Sequence, residues 1–141
     1  TISRTVAEEA KYASLEFEDI RVNLDDYEEK ELIKIFDSEP SVYKVFYERF
    51  DQVYKSIIHH GEKETLAFLY DSSENWLVCA ADKAVFRVLG LLGKAEQGIS
   101  LEEILEQIGL SKPLEWQYTK KFREMYTKLG QQDFFQDQGH T

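Results

Sequence analysis

The chain has 141 residues, 43% of them hydrophobic, and a formal net charge of −10. That length supports one ordinary domain with its own core, and that apolar content excludes a disordered tail. The acidic balance repels nucleic acid at long range, yet it leaves a nuclease open, because a site that collects divalent cations must itself be acidic. A single cysteine, Cys79, excludes an internal disulfide and a thiolate metal site. It lies within an apolar run, which predicts a packed core residue and a reducing, cytoplasmic compartment. No apolar run reaches membrane-spanning length and no basic-plus-apolar leader opens the chain. Thr1 rather than Met comes first, as expected of a fragment or a processed product.

Residues 3 to about 16 read as a helix, with Val6, Ala10 and Ala13 on one face and Ser3 or Thr5 as its cap. FEDIRVNL, 17–24, alternates apolar and polar residues and predicts a short strand. Asp25 and Asp26 open an acid-rich first turn, suited to the positive end of a helix running through Phe36. Pro40 ends that helix, and a long one follows over about 41–59, with Val42, Phe46, Phe50, Val53 and Ile57 along one side. His59, His60 and Gly61 interrupt the pattern. EKETLAFLYD, 62–71, reads as another helix.

WLVCAA, 76–81, is short and uncharged, as in a parallel strand buried on both faces. Asp82 then caps a helix over 83–92, whose Val85, Val88, Leu89 and Leu92 fall at helical spacing. GKAEQG is a loop. Ser100 and Glu103 form a capping box for a helix over 100–110, and Gly109 ends it. Pro113 sits near the start of a last helix carrying Tyr118, Phe122, Met125, Tyr126 and Leu129 on one face. A polar, frayed tail closes the chain, with Phe134 and Phe135 free to dock elsewhere.

The carboxylates are the strongest chemical signal. Glu9 borders the apolar face of the first helix, Glu62 and Glu64 lie in the first turn of a later one, and Asp82 ends the apolar run. Brought together, they make an oxygen-rich site for a hard cation such as Mg²⁺ or Mn²⁺, which relieves the repulsion among them. With 27 acidic residues in the chain, some fall at helix starts by preference alone, so spacing by itself favours capping. His59 and His60 point apart on a helix and lack a third partner for zinc, which favours a plain helix end. GISLEEILEQIGLSKP, 98–113, with its Lys112 and the later Lys120, Lys121, Arg123 and Lys128, is similar to a helix-turn-helix. The aromatic stripe and acidic balance favour packing there over DNA binding.

TVAEEA (5–10), an alternating strand, HHGEKETLAFLY (59–70), LVCAADKAVFRVLGLLG (77–93) and GISLEEIL (98–105) occur in that order. Together they resemble the PIN-domain superfamily, in the PIN-like branch with a GE-x-E-A helix. The resemblance covers roughly residues 1–110 and rests on the collinear series, since each motif is short. It implies an α/β fold: a three-layer α/β/α arrangement around a short, mostly parallel sheet, with residues 1–130 as one domain and 131–141 as the tail. It implies a metal-dependent ribonuclease, often a toxin paired with an antitoxin-like protein and often a homo-oligomer. It implies Mg²⁺ or Mn²⁺ held by Glu9, Glu62, Glu64 and Asp82, with Glu9, Glu64 and Asp82 in the catalytic set. Glu64 is the better match and Glu62 the close second for the acid of the later helix. The family's opening strand, ending in an Asp, has no counterpart before Thr5. The domain is therefore expected to be N-terminally incomplete, with the gap filled by dimerisation, strand exchange or a separate segment. A catalytically inactive interaction protein on the same scaffold is the alternative.

Overall fold

The structure, a computed structural model, describes residues 1–10, 12–15 and 18–141, and side chains outside 11–17. It is a helix-rich α/β chain with short strands. In chain order these are β1 (Ile2–Ser3), α1 (Arg4–Glu9), β2 (Tyr12–Leu15), β3 (Glu18–Arg21), α2 (Leu24–Glu29), β4 (Ile35–Phe36), α3 (Pro40–Glu48), α4 (Gln52–Ile57) and α5 (His60–Asp71). There follow β5 (Val78–Cys79), α6 (Lys83–Leu91), a 3-10 turn (Ala95–Gln97), β6 (Gly98–Ile99), α7 (Leu101–Gln107), a second 3-10 turn (Trp116–Tyr118) and α8 (Lys120–Phe135). Among the described residues the strands form three separate pairs: β1 with β4 in parallel, β2 with β3 antiparallel, and β5 with β6 in parallel.

The core lies where α3, α4 and α5 meet α6 and α8. Phe46, Phe50, Tyr54, Leu66, Leu69, Phe86, Val88, Leu89 and Phe122 are all buried there. Helices α6 and α8 cross at two glycines. A Cβ at Gly90 would strike the Thr127 carbonyl, and one at Gly130 the Arg87 carbonyl. No other residue permits this approach. Beside the crossing, buried Asp133 accepts hydrogen bonds from the Tyr54 hydroxyl at 2.6 Å and from Arg87 Nε at 2.7 Å. Burial pushes the Asp133 carboxyl up, but Arg87 and Tyr54 outweigh it and hold the group below the usual carboxylate range. Burial first, and Asp133 second, push the Tyr54 phenol up.

Several expectations are corrected. The first helix stops at Glu9, and Ala13 belongs to strand β2, because Tyr12–Leu15 pairs antiparallel with Glu18–Arg21. Phe17, expected to begin the strand, lies outside the described residues. The second helix ends at Glu29, not at Phe36. Glu31 takes a positive φ of 57°, and Ile35 then donates its N–H to Glu28 Oε1 at 2.8 Å as the chain enters β4.

The long helix over 41–59 is broken between Glu48 and Gln52. Asp51 is the reason: its Oδ1 accepts from Tyr54 N at 2.9 Å as the cap of α4, and its Oδ2 accepts from Gly139 N at 2.9 Å. The same contact removes the frayed tail, since Thr141 N also donates to the Arg49 carbonyl at 3.0 Å. Pro113 lies in a loop, and the last helix begins seven residues later, capped by Thr119.

The apolar run 76–81 is not buried on both faces. Leu77 is 58% exposed and Cys79 is exposed rather than in the core. A strand with one sheet neighbour has too little around it to bury both sides. Its neighbour β6 lies at the end of the stretch read as a loop. The caps stand where the sequence places them. Ser3 Oγ accepts from Val6 N, Asp82 Oδ1 from Ala84 N at 2.6 Å, and Ser100 with Glu103 closes its box. Within the helix-turn-helix-like stretch, Arg123 is committed to Glu103 through contacts of 2.7 and 2.8 Å, which makes it a packing residue.

Candidate metal centre

Two chain reversals bring the acids together. β5 delivers Asp82 to the start of α6, where the side chain is held by its cap bond to Ala84 N. α5 begins beside it, with Glu62 in its first turn; Glu62 Oε2 accepts from His59 N at 2.6 Å. One ligand atom each from His59, Glu62 and Asp82 lies within 4.8 Å of the other two. Helix α1 packs across the same helix start. Gly61 allows this, since a Cβ there would sit 3.1 Å from Val6 Cγ2 and 3.8 Å from Glu9 Oε2. Glu9, Glu62 and Asp82 therefore line one cavity of about 300 Å³, between β1 and β5 and over α5 and α6.

Glu64 is placed differently. It is buried at 7% exposure, and its Oε2 accepts from Thr5 N at 3.4 Å, tying α1 to α5. Of the Glu62/Glu64 pair, Glu62 is the member that lines the cavity. His59, read from sequence as a helix end, joins the cluster. The signal that could have found it is local: His59 and Glu62 are three apart across a helix start, the spacing that stacks two side chains on one face. Nδ1 of His59 lies 3.5 Å from Glu62 Oε2, and its side chain is 74% exposed.

The donor set suits a divalent cation. Asp82 and Glu62 each spend one carboxylate oxygen on a backbone N–H, which leaves the other oxygen for a ligand. Glu9 lines the same cavity, outside the close group of His59, Glu62 and Asp82. Carboxylates with one imidazole fit Mn²⁺ better than Mg²⁺, which prefers oxygen alone. Cys79 lines the cavity as well. Desolvation, and after it the charge of Glu103, push its thiol up. Among the described residues no lysine or arginine lines this cavity. Among the described residues no helix is long and apolar enough to cross a membrane. Compared with known protein families, curated proteins and solved structures, the chain matches none.

Proposed function

We propose that the chain is a divalent-metal-dependent ribonuclease of PIN-like type, with its short parallel pairs forming part of a three-layer α/β/α arrangement. The observation that supports this reading is the convergence of Glu9, Glu62 and Asp82 on one cavity at the carboxyl ends of β1 and β5. In open α/β sheets ligands bind at that edge. A cation bound there would supply Lewis acidity toward a phosphodiester and a nucleophilic water at neutral pH. The chain's own residues hold and orient. Asp82 and Glu62 are fixed by their backbone bonds, Glu9 lines the same cavity, and His59 adds a nitrogen donor. Glu64 positions α1 through Thr5. RNA is the substrate, an antitoxin-like protein and a second copy are the partners, and the cytoplasm is the compartment on this reading.

The test is a Mn²⁺ titration followed by NMR paramagnetic broadening, with cleavage of a fluorescent single-stranded RNA in parallel. Amides at 9, 59–62 and 82 should broaden together at low metal, and cleavage should require Mn²⁺. Broadening spread over all the acidic helix starts would show surface charge instead. The second reading is an inactive interaction protein on the same scaffold. It is favoured by the lack, among the described residues, of a lysine or arginine lining the cavity to hold a phosphate backbone. It predicts no site-specific metal binding, and dimerisation through an apolar edge.

A further inference from the structure

Acids outnumber lysines and arginines in the chain, 27 to 17, so its cations have carboxylates to choose from. Arg4, Arg87 and Arg123 each pair with at least one. Arg49 pairs with none among the described residues. Its guanidinium carbon lies instead 4.1 Å from the centre of the Tyr70 ring and 5.7 Å from that of Phe46. Its Nε is buried and has no hydrogen-bond partner among the described residues. That desolvation is uncompensated, and the charge rests on whatever meets the terminal nitrogens. Lys94 Nζ, also without a carboxylate among the described residues, stands 5.9 Å from the Tyr70 ring. An arginine at the end of α3 suits the helix dipole, but that role calls for neither a buried Nε nor a cavity beside it.

Arg49 lines a cavity of about 440 Å³, within the range of about 300–1,000 Å³ usual for small-molecule sites. Tyr70 of α5, Leu91 and Leu92 at the end of α6, Phe134 and Phe135 at the end of α8, and His140 of the tail line it too. Phe134 and Phe135 are 54% and 83% exposed, with their rings edge to face at 5.8 Å. The tail is held in place by Gly139 on Asp51 and Thr141 on the Arg49 carbonyl, and His140 stacks on Phe50. The end of the chain therefore builds one side of the cavity. None of its lining residues belongs to the acidic cavity beside β1 and β5.

We propose that this cavity binds a small aromatic monocarboxylate, with the carboxylate on Arg49 and the ring against Phe134, Phe135 and His140. A guanidinium presents its N–H donors in a fork that matches a carboxylate. The rings of Tyr70, Phe134, Phe135 and His140 favour a flat aromatic body over an aliphatic chain. The carboxyl ends of α6 and α8 reach the same cavity, and their partial negative charge disfavours a doubly charged phosphate. The site is separate from the metal centre and does not depend on it.

The experiment titrates the intact chain in EDTA with cinnamate, read by NMR amide shifts, and with neutral cinnamamide in parallel. Shifts should concentrate at residues 70, 91–93, 131, 134 and 140. Cinnamate should bind at least about tenfold more tightly than cinnamamide. Arg49→Gln should abolish that preference, and Arg49→Lys should keep part of it, because lysine retains the charge without the fork. The preference is a ratio taken within each variant, so a general loosening of the packing does not imitate its loss. The proposal is overturned by equal binding of the two compounds to the parent chain, by a preference that survives in Arg49→Gln, by shifts clustered elsewhere, or by no binding at millimolar cinnamate. Displacement of cinnamate by an equal concentration of inorganic phosphate also overturns it, because the site then takes anions in general. A dimer in sedimentation whose interface covers Phe134 and Phe135 overturns it as well, because the occupant is then a second copy.

Discussion

Asp82 serves as a helix cap in the structure and as a metal ligand in the proposal, and two substitutions separate the roles. Its Oδ1 accepts from Ala84 N at 2.6 Å. Asparagine caps a helix about as well as aspartate, so Asp82→Asn keeps that bond and loses only the attraction between charge and helix dipole, about 0.3–1 kcal/mol. Against this loss stands relief of repulsion. The Asp82 and Glu62 oxygens lie within 4.8 Å. Unit charges at that separation repel by about 1–3 kcal/mol for an effective dielectric between 80 and 20. In EDTA, Asp82→Asn should therefore be as stable as the parent chain or more so. Asp82→Ala loses the cap as well, and should fall about 1 kcal/mol below Asp82→Asn.

In Mn²⁺ the order changes. The parent chain gains RT ln(1 + [Mn²⁺]/Kd), about 2.7 kcal/mol at a hundredfold excess over Kd. Either variant loses a direct ligand and should bind at least about tenfold more weakly. The assay is urea unfolding of the three proteins with EDTA and with Mn²⁺. If Asp82→Asn gains as much from Mn²⁺ as the parent, Asp82 is no ligand. If Asp82→Asn is destabilised by more than about 1 kcal/mol in EDTA, repulsion among these acids does not govern the cluster and the reasoning is refuted.

Gly130→Ala should cost about 3 kcal/mol in urea unfolding, because its Cβ would meet the Arg87 carbonyl and push α6 and α8 apart; a loss under about 1 kcal/mol would refute the close crossing. Asp133→Asn weakens both bonds that pair buried Tyr54 and Arg87, and should cost about 3 kcal/mol, the low end for a buried pair because the Arg87 side chain is 22% exposed. A wild-type urea midpoint for that variant would show the network to be dispensable. Burial pushes the Glu103 carboxyl up, but Arg123 and Ser100 outweigh it and hold the group at about 2, against an ordinary 4.5. Its contribution, about 3 kcal/mol, is present above pH 4.5 and lost as pH falls through about 2. The stability deficit of Glu103→Gln should therefore shrink by about that amount between pH 5 and pH 2; a constant deficit would show that the charge is not what matters.

What is legible in the sequence is local. Ser3, Asp82 and the Ser100–Glu103 box are readable because a cap needs one side chain and a backbone amide two or three residues away. The apolar stripe of α6 is readable because α6 is buried along its whole inner face. What is not legible depends on distant partners. Nothing near Asp51 announces that Gly139 will claim its second oxygen and break the long helix there. The two-residue strands β4 and β6 exist only because β1 and β5 lie beside them. Cys79 is misplaced because an uncharged run implies burial only where a broad sheet surrounds it, and β5 has one neighbour. His59 escapes notice when histidine is weighed against zinc patterns rather than against the two carboxylates nearest it.

Capping and metal binding are not rivals at this site. A carboxylate has two oxygens, and Glu62 and Asp82 each give one to a backbone N–H. That bond fixes the direction of the other oxygen, so on the proposed reading the local signal that makes these acids good caps would also pre-orient them as ligands. The same arrangement dictates the order of events if RNA is the substrate. Without a cation, Glu9, Glu62 and Asp82 present three negative charges on a chain of net charge −10, and among the described residues no lysine or arginine lines the cavity to offset them. One divalent ion lowers the local charge to a single negative, and the starts of α5 and α6 then face the incoming phosphate with their positive ends. RNA affinity must therefore follow metal occupancy rather than precede it. If RNA binds equally well in EDTA and in Mn²⁺, it is held at some other surface.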